Sequence, residues 1–335
     1  FQQPHYELHH LWQISETLHW KNTLFYIHGK GYYEQYKVGR DLYDYGLWED
    51  PDTAPESDMI RQKWVKKNQY GLVTEFGMDH GNGELTVGGY FSTYDSDHWG
   101  EVDDLLTDQD IPLYQPEFIY HQYFSDKHYI TGFINELYRP NDRLTIMANL
   151  HYQQMSYNLD QQAVGNFNGE DLHSLRVDYD FWNPRFGVNV NLNETVNAFA
   201  NISVSHREPA DSELFDTWMG PDDLGVPPLF NTPVPVTDGG ELVRTIWYDP
   251  RVKPEKLVDY ELGIVKATDT MMLKLNLFYM DFENEIVPYG QVNDDGFPIR
   301  GNAEKNVHRG IELSGLFRFP RDLELDINLS FNDNY

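Results

Sequence analysis

Apolar and polar residues alternate along much of this chain. In RLTIMANLHYQQMSY, Leu144, Ile146, Ala148, Leu150 and Tyr152 share one face; Thr145, Asn149, His151 and Gln153 share the other, with Met147 an apolar exception. In TVNAFANISVS, Val196, Ala198, Ala200, Ile202 and Val204 alternate with Asn197, Asn201, Ser203 and Ser205, and Phe199 interrupts the polar row. TMMLKLNLFYM sets Met271, Leu273, Leu275, Leu277 and Tyr279 against Lys274 and Asn276. RDLELDINLSFN sets Leu323, Leu325, Ile327, Leu329 and Phe331 against Glu324, Asp326, Asn328 and Ser330. A period of two held for about ten residues predicts strands whose two faces meet different surroundings; helical spacing does not fit these runs.

The strands are joined in two ways. Short turn chemistry stands at Ser15-Glu16, His80 to Gly83, Arg139 to Asp142, Asn193-Glu194, Thr268-Asp269 and Pro320 to Asp322, each between strand-like runs. Between successive turns lie two strands and one long irregular segment: Tyr32–Asp58, Asp95–Ser125, Asn158–Leu172, Arg207–Pro254 and Glu283–Lys305. Loops beyond about 15 residues are uncommon in compact soluble domains. Here they are the rule, and all fall at one end of the hairpins.

About twelve strands, short turns at one end and long loops at the other predict an all-β fold, an antiparallel transmembrane β-barrel fragment. A soluble β-sandwich would also alternate, but would not sort its loops by length. Aromatics near strand ends fit an interfacial girdle: Tyr32, Tyr33, Tyr94, Trp99, Tyr157, Tyr179, Trp182, Trp247 and Tyr279. In HGKGYYEQYK this places Tyr32 and Tyr33 at the outer rim and Tyr36 in the loop. The plainer reading of each single aromatic is ordinary packing.

Composition narrows the classes. A net charge of −29 over 335 residues argues against nucleic acid as a partner, since that needs a basic face. No apolar run approaches the roughly 20 residues of a spanning helix. Aromatic content of 15% sets the chain apart from disordered acidic sequences. Cysteine is absent, which removes disulfides and thiolate metal sites. The chain opens inside one apparent strand and stops just after another. It therefore reads as a single domain, residues 1–335: part of a larger barrel, with both barrel ends elsewhere.

Several stretches, in order, resemble the barrel of TonB-dependent outer-membrane receptors, nearest to the siderophore- and cobalamin-type branch: HGKGYYEQYK, MIRQKW, GGYFSTYDSDHWGEV, FWNPRFGVN, SVSHREPADSELFD, KPEKLVDYELG, NLFYMDFENEIV and GQVNDDGFPIRGNAEKNVHRGIELSG. HREP (His206 to Pro209) and RGIE (Arg309 to Glu312) are the most characteristic. The resemblance implies twenty-two strands around an N-terminal plug domain, absent from this sequence, which the TonB–ExbB–ExbD system would engage. It implies import of a small-molecule ligand such as a ferric siderophore, carrying iron or cobalt, across the outer membrane of a Gram-negative bacterium, with no enzymatic step. The expected sheet is open and curled. Two other readings are a passive porin or adhesin barrel and a secreted all-β carbohydrate-active enzyme. The enzyme would need a carboxylate pair, and nothing in the sequence singles one out.

Candidate ligand contacts are the loop aromatics Tyr43, Tyr45, Trp48, Trp99, Trp218 and Phe230, since rings suit planar or amphipathic ligands. The plainer reading is that they pack the loops. Candidate lumen- or plug-facing residues are Asn149, His151, Gln153, Asn197, Asn201, Arg207, Glu208, Asn276, Arg309 and Glu312. Their polar groups suit a wall that meets a plug or water while the other face meets outer-membrane lipid. Arg207-Glu208 also reads as an Arg–carboxylate pair that shapes its loop. Histidines at 5, 9, 10, 98, 121 and 128 lack tight metal-ligand spacing. The acid clusters Glu49–Asp52, Asp103–Asp110, Asp222-Asp223 and Asp294-Asp295 read as solvated surface, with loop-bound calcium the functional alternative.

Overall fold

The computed structural model describes residues 1–166, 172–214, 228–292 and 298–335. Fourteen strands form one sheet. They are β1 (His5–Ser15), β2 (Leu18–Asp41), β3 (Glu56–Asp79), β4 (Gly83–Leu106), β5 (Phe118–Asn141), β6 (Leu144–Ala163), β7 (Leu172–Asn193), β8 (Val196–Arg207), β9 (Phe230–Asp238), β10 (Glu241–Pro250), β11 (Glu255–Ala267), β12 (Met271–Val292), β13 (Pro298–Phe319) and β14 (Leu323–Asn334). A four-residue helix, α1 (Asp211–Leu214), follows β8. Twelve strands make an antiparallel meander, β1 through β8 and then β11 through β14, and β1 and β14 are its two ends. The other two, β9 and β10, are a hairpin inside the β8–β11 connection. Its β10 lies parallel to β7, pairing Arg244–Trp247 with Leu172–Leu175. All six short turns fall where the sequence places them.

The strands differ from expectation in length. β2, β3, β4 and β5 have 24 residues each, about 80 Å at 3.3 Å per residue. That is far more than the roughly 25 Å apolar band of a membrane barrel needs. The long loops are correspondingly shorter: 42–55, where the sequence suggested Tyr32–Asp58, and 107–117, where it suggested Asp95–Ser125. Tyr36 belongs to β2, opposite Ile60.

The extra length carries a reversed pattern. On β6 the face of Leu144, Ile146, Ala148, Leu150 and Tyr152 continues as Gln154, Ser156, Asn158 and Asp160. The opposite face, Asn149, His151 and Gln153, continues as Met155, Tyr157 and Leu159, all buried. On β7 the apolar row Val190, Val188, Phe186, Pro184 and Trp182 gives way to Asp180, Asp178 and Arg176, while Phe181, Val177 and Leu175 are buried behind it. Strand β12 does the same, passing from Leu275, Leu277 and Tyr279 to Asp281 and Glu283. Below the crossing the sheet is apolar outside and polar inside. Leu150, Phe186 and Leu262 there are 40%, 49% and 56% exposed. Above the crossing it is built like a soluble protein. Two buried clusters lie there: Leu42, Tyr45, Leu47, Met59, Val102, Leu105, Ile111, Tyr120 and Val164, and Tyr123, Met155, Tyr157, Leu159, Leu175, Val177, Leu214 and Phe230. A lipid band ending at the crossing accounts for both halves.

The crossing also fixes the strand tilt. Directly opposed residues connect Tyr26 through Tyr70, Thr93, His128 and Ser156 to Asp178. Tyr279, the last outer apolar residue of β12 before the acidic Asp281 and Glu283, connects through Tyr260 and Ile202 to Phe186. Phe186 and Asp178 are eight residues apart on β7, and β2 and β12 are eight strand steps apart. The boundary therefore slips one residue per strand. With a 3.3 Å rise and strands about 4.8 Å apart, the strands lean roughly 35° from the barrel axis, within the range of membrane barrels. The aromatic row that follows it is Tyr6, Tyr26, Tyr70, Phe91, Tyr152, Trp182, Tyr260 and Tyr279. Trp182 and Tyr279 belong to it as expected. Tyr94, Tyr157 and Tyr179 do not: their parity puts them on the inner face, above the crossing.

Candidate functional site

The inner wall above the crossing holds a cavity of about 320 Å³. Strands β3 to β6 supply its lining through inner-face positions, chiefly Tyr94, His98, Tyr123, Lys127, Tyr129 and Tyr157, and Asp211 of α1 closes it. Lys127 Nζ lies 2.7 Å from Asp211 Oδ1 and 4.3 Å from the centroid of the Tyr157 ring, so a salt bridge and a cation–π contact fix one ammonium. The His98 and Tyr123 rings stack at 4.6 Å. Burial pushes the Tyr94 and Tyr157 hydroxyls above the ordinary tyrosine value, Tyr157 strongly, and Asp211 pushes both further. Both phenols stay neutral through the physiological range and can donate hydrogen bonds. The site offers aromatic surface, phenol donors and one held charge pair, which suits an amphipathic ligand bearing acceptor oxygens.

The loop aromatics are placed differently. Tyr45 and Phe230 are 3% and 1% exposed inside the two clusters, so they pack the loops. Trp48 packs against the first cluster and donates to Thr53 Oγ1 at 3.1 Å. Tyr43 is half-buried in the 42–55 loop, where its carbonyl accepts from Asn166 Nδ2 at 2.8 Å. Trp99 is a strand residue of β4 on the outer face, stacked on Trp64 at 5.5 Å. Trp218 lies outside the described residues, as do Asp222, Asp223, Asp294 and Asp295. Among the residues that line the cavity, Tyr94 and Tyr157 carry the sequence signal of strand-end girdle aromatics, and Tyr129 carries none of its own.

Asn149, His151 and Gln153 share the inner face of β6, and Asn197 and Asn201 that of β8. On β12, Asn276 donates to Glu312 of β13 at 3.3 Å. Three acceptors on this wall, Asn201 Oδ1, Asp259 Oδ1 and Asn276 Oδ1, are buried with no hydrogen-bond donor among the described residues. Arg207 does not pair with its neighbour Glu208. It reaches Glu213 at 3.4 Å and Glu255 at 3.8 Å, while Glu208 accepts from Tyr129 at 3.4 Å. Glu213 also accepts the Ala210 N–H at 2.7 Å, so these contacts shape the loop after β8. Arg309 departs from the expected inner position. It opposes Tyr279 and Asp333, on the apolar outer face at the crossing, and its guanidinium is 2.8 Å from Asp333 Oδ2. A charge at that level is stable because it is paired and at the rim of the band. No three His, Asp or Glu side chains among the described residues are grouped to hold a metal ion.

A family model described as TonB dependent receptor-like, beta-barrel, matches residues 3–335. Among solved structures the chain is similar to the ferric yersiniabactin uptake receptor FyuA from Yersinia pestis, with 13% identity, a TM-score of 0.61, and coverage of 99% of this chain and 42% of that one. It is also similar to the copper transporter OprC, with 13% identity, a TM-score of 0.66 and coverage of 99% and 46%. The FrpB iron transporter from Neisseria meningitidis gives 14% identity, a TM-score of 0.58 and coverage of 99% and 44%. A search of curated proteins finds no match. The chain spans less than half the length of each of these solved chains, and at such identity the likeness carries the fold alone.

Proposed function

This chain belongs to the TonB-dependent receptor family, as a large part of its β-barrel, and from that we propose that it walls an outer-membrane importer of a scarce metal chelate. The observation that carries this reading is the polarity reversal. It gives the sheet a lipid band, a polar lumen, and an aromatic vestibule on the same inner wall above that lumen. The ligand is of the ferric-siderophore type and rests on the cavity of Tyr94, Tyr129, Tyr157 and Lys127 on its way inward. The bacterium is Gram-negative. Residues outside this chain form the plug, which brings donors to Asn201, Asp259 and Asn276 and couples the barrel to the TonB–ExbB–ExbD system. Likeness to FyuA and FrpB, whose own descriptions name ferric yersiniabactin and iron, supports the metal-chelate class.

The test is uptake of radioactive iron, offered as a panel of ferric chelates, by cells making the complete receptor. Uptake of at least one chelate is expected, and it should stop when the proton-motive force is collapsed. Uptake that survives the collapse would make the barrel a passive pore. Lys127→Gln combined with Tyr94→Leu should raise the half-saturating chelate concentration about tenfold, the equivalent of losing about 1.4 kcal/mol of binding, with surface amount unchanged. An unaltered half-saturation would remove the cavity from the ligand path.

A further inference from the structure

The outer wall carries a second patch, above the lipid band and facing away from the lumen. On β2, β3 and β4 the rows climb from Tyr26 and Tyr70 through His28 and Asn68 to Lys30 and Lys66, and then to Tyr32, Trp64 and Trp99. Lys30 and Lys66 stand directly opposite each other, both exposed. Like charges in that position repel, and the chain has 54 acidic against 25 basic residues from which to choose partners. Even so, among the described residues neither ammonium has a carboxylate within ion-pairing distance. Lys30 leans on the Trp64 ring, 4.9 Å from its centroid. The nearest carboxylate in the row, Asp97, accepts from Gln122 at 2.9 Å instead.

The aromatic row above is equally specific. Tyr32 lies 4.3 Å from Trp64, and Trp64 stacks on Trp99 at 5.5 Å with planes 1° apart. Both indole N–H groups donate to the one carboxylate of Glu101, at 2.9 and 2.8 Å. Tyr32 is 50% exposed. The row thus offers rigid ring carbon with both indole N–H groups already satisfied, outside the apolar band where lipid tails would explain it. At four and six residues above Tyr26 along a strand tilted roughly 35°, the two rows stand about 11 and 16 Å beyond the lipid boundary. An unneutralised cation pair beneath a flat aromatic step is complementary to phosphate beneath a sugar ring, whose C–H faces pack on aromatic surface.

We propose that Lys30, Lys66, Tyr32, Trp64 and Trp99 form a binding site for a phosphorylated glycolipid anchored in the surrounding outer leaflet, of the lipopolysaccharide type. The lysines take its phosphate, and the aromatic row takes the first sugars above it. This rests on the outer-membrane reading made above, which supplies the leaflet.

The test is native mass spectrometry of the complete receptor extracted from outer membranes, followed by delipidation and titration with purified lipopolysaccharide. The native receptor should carry a glycolipid adduct and regain it. Lys30→Gln with Lys66→Gln, and separately Trp64→Leu with Trp99→Leu, should each cut adduct occupancy at least tenfold at matched concentration. Iron uptake and outer-membrane location should be unchanged. Full occupancy in either double variant would overturn the site. Equal competition by phosphatidylglycerol would overturn sugar recognition, and equal binding of the deacylated phospho-oligosaccharide would overturn a membrane-anchored partner. A receptor missing from the outer membrane would instead sink the reading beneath it.

Discussion

Leu275→Arg is expected to destabilise the barrel by about 2–4 kcal/mol, the cost of a cation on the lipid face near mid-band. Leu275 sits midway between Met271 and Tyr279 on the outer row of β12, and is 39% exposed. The control is Asn149→Arg on β6, whose inner-face neighbours are His151 and Gln153. It should cost under about 1 kcal/mol, because a lumen-facing guanidinium keeps access to water and polar partners. Reversible urea unfolding of the complete receptor in lipid vesicles would measure both. Equal costs on the two faces would refute the membrane assignment.

Above the crossing the preference inverts. Leu159→Ala should cost about 2–5 kcal/mol by opening a cavity, since Leu159 is 2% exposed among Tyr157, Leu175 and Val177. Ser156→Arg, on the outer row of the same strand, should be near neutral. The informative readout is local. Hydrogen exchange in the loop-side halves of β6 and β7 should quicken in Leu159→Ala, while the turn-side halves keep their protection. A uniform loss along both strands would mean that the wall is one cooperative core, not two regions with opposite polarity.

The meander was legible in the sequence because lipid below the crossing forces strict alternation on each strand, and six compact turns punctuate it. The strand extensions were legible too, but with the sign changed. Met155, Tyr157 and Leu159 keep the period of two and simply move to the other face. A reader following the apolar row of Ile146 and Leu150 loses it at Gln154 and sees a loop begin. From the sequence, Tyr157 therefore reads as part of the girdle. The β9–β10 hairpin had a signal of its own in Asp238-Gly239-Gly240-Glu241, with both glycines at positive φ, 59° and 95°. Pro233 and Pro235 mask it, because proline speaks against a strand unless the strand is an edge, as β9 is. The cavity was not legible. It depends on which rows of four strands meet beneath α1, and only the register fixes that. Tyr45 and Phe230 show the converse: loop aromatics can be core when the loops have a core to fill.

The reversal has a consequence for how the protein sits in its bilayer. Because the sign changes on many strands along a single slanting line, the wall carries a built-in depth mark. Sinking by one inward–outward pair, about 6–7 Å along a strand, would drag Asp180 and Asp281 into hydrocarbon together. Rising by the same amount would strip lipid from the opposite margin of the band. Each strand contributes a modest penalty of the same sign, so the sum confines vertical drift tightly even though no single residue anchors it. The vestibule is thereby held at a constant height above the membrane, whatever pulls on the barrel from below.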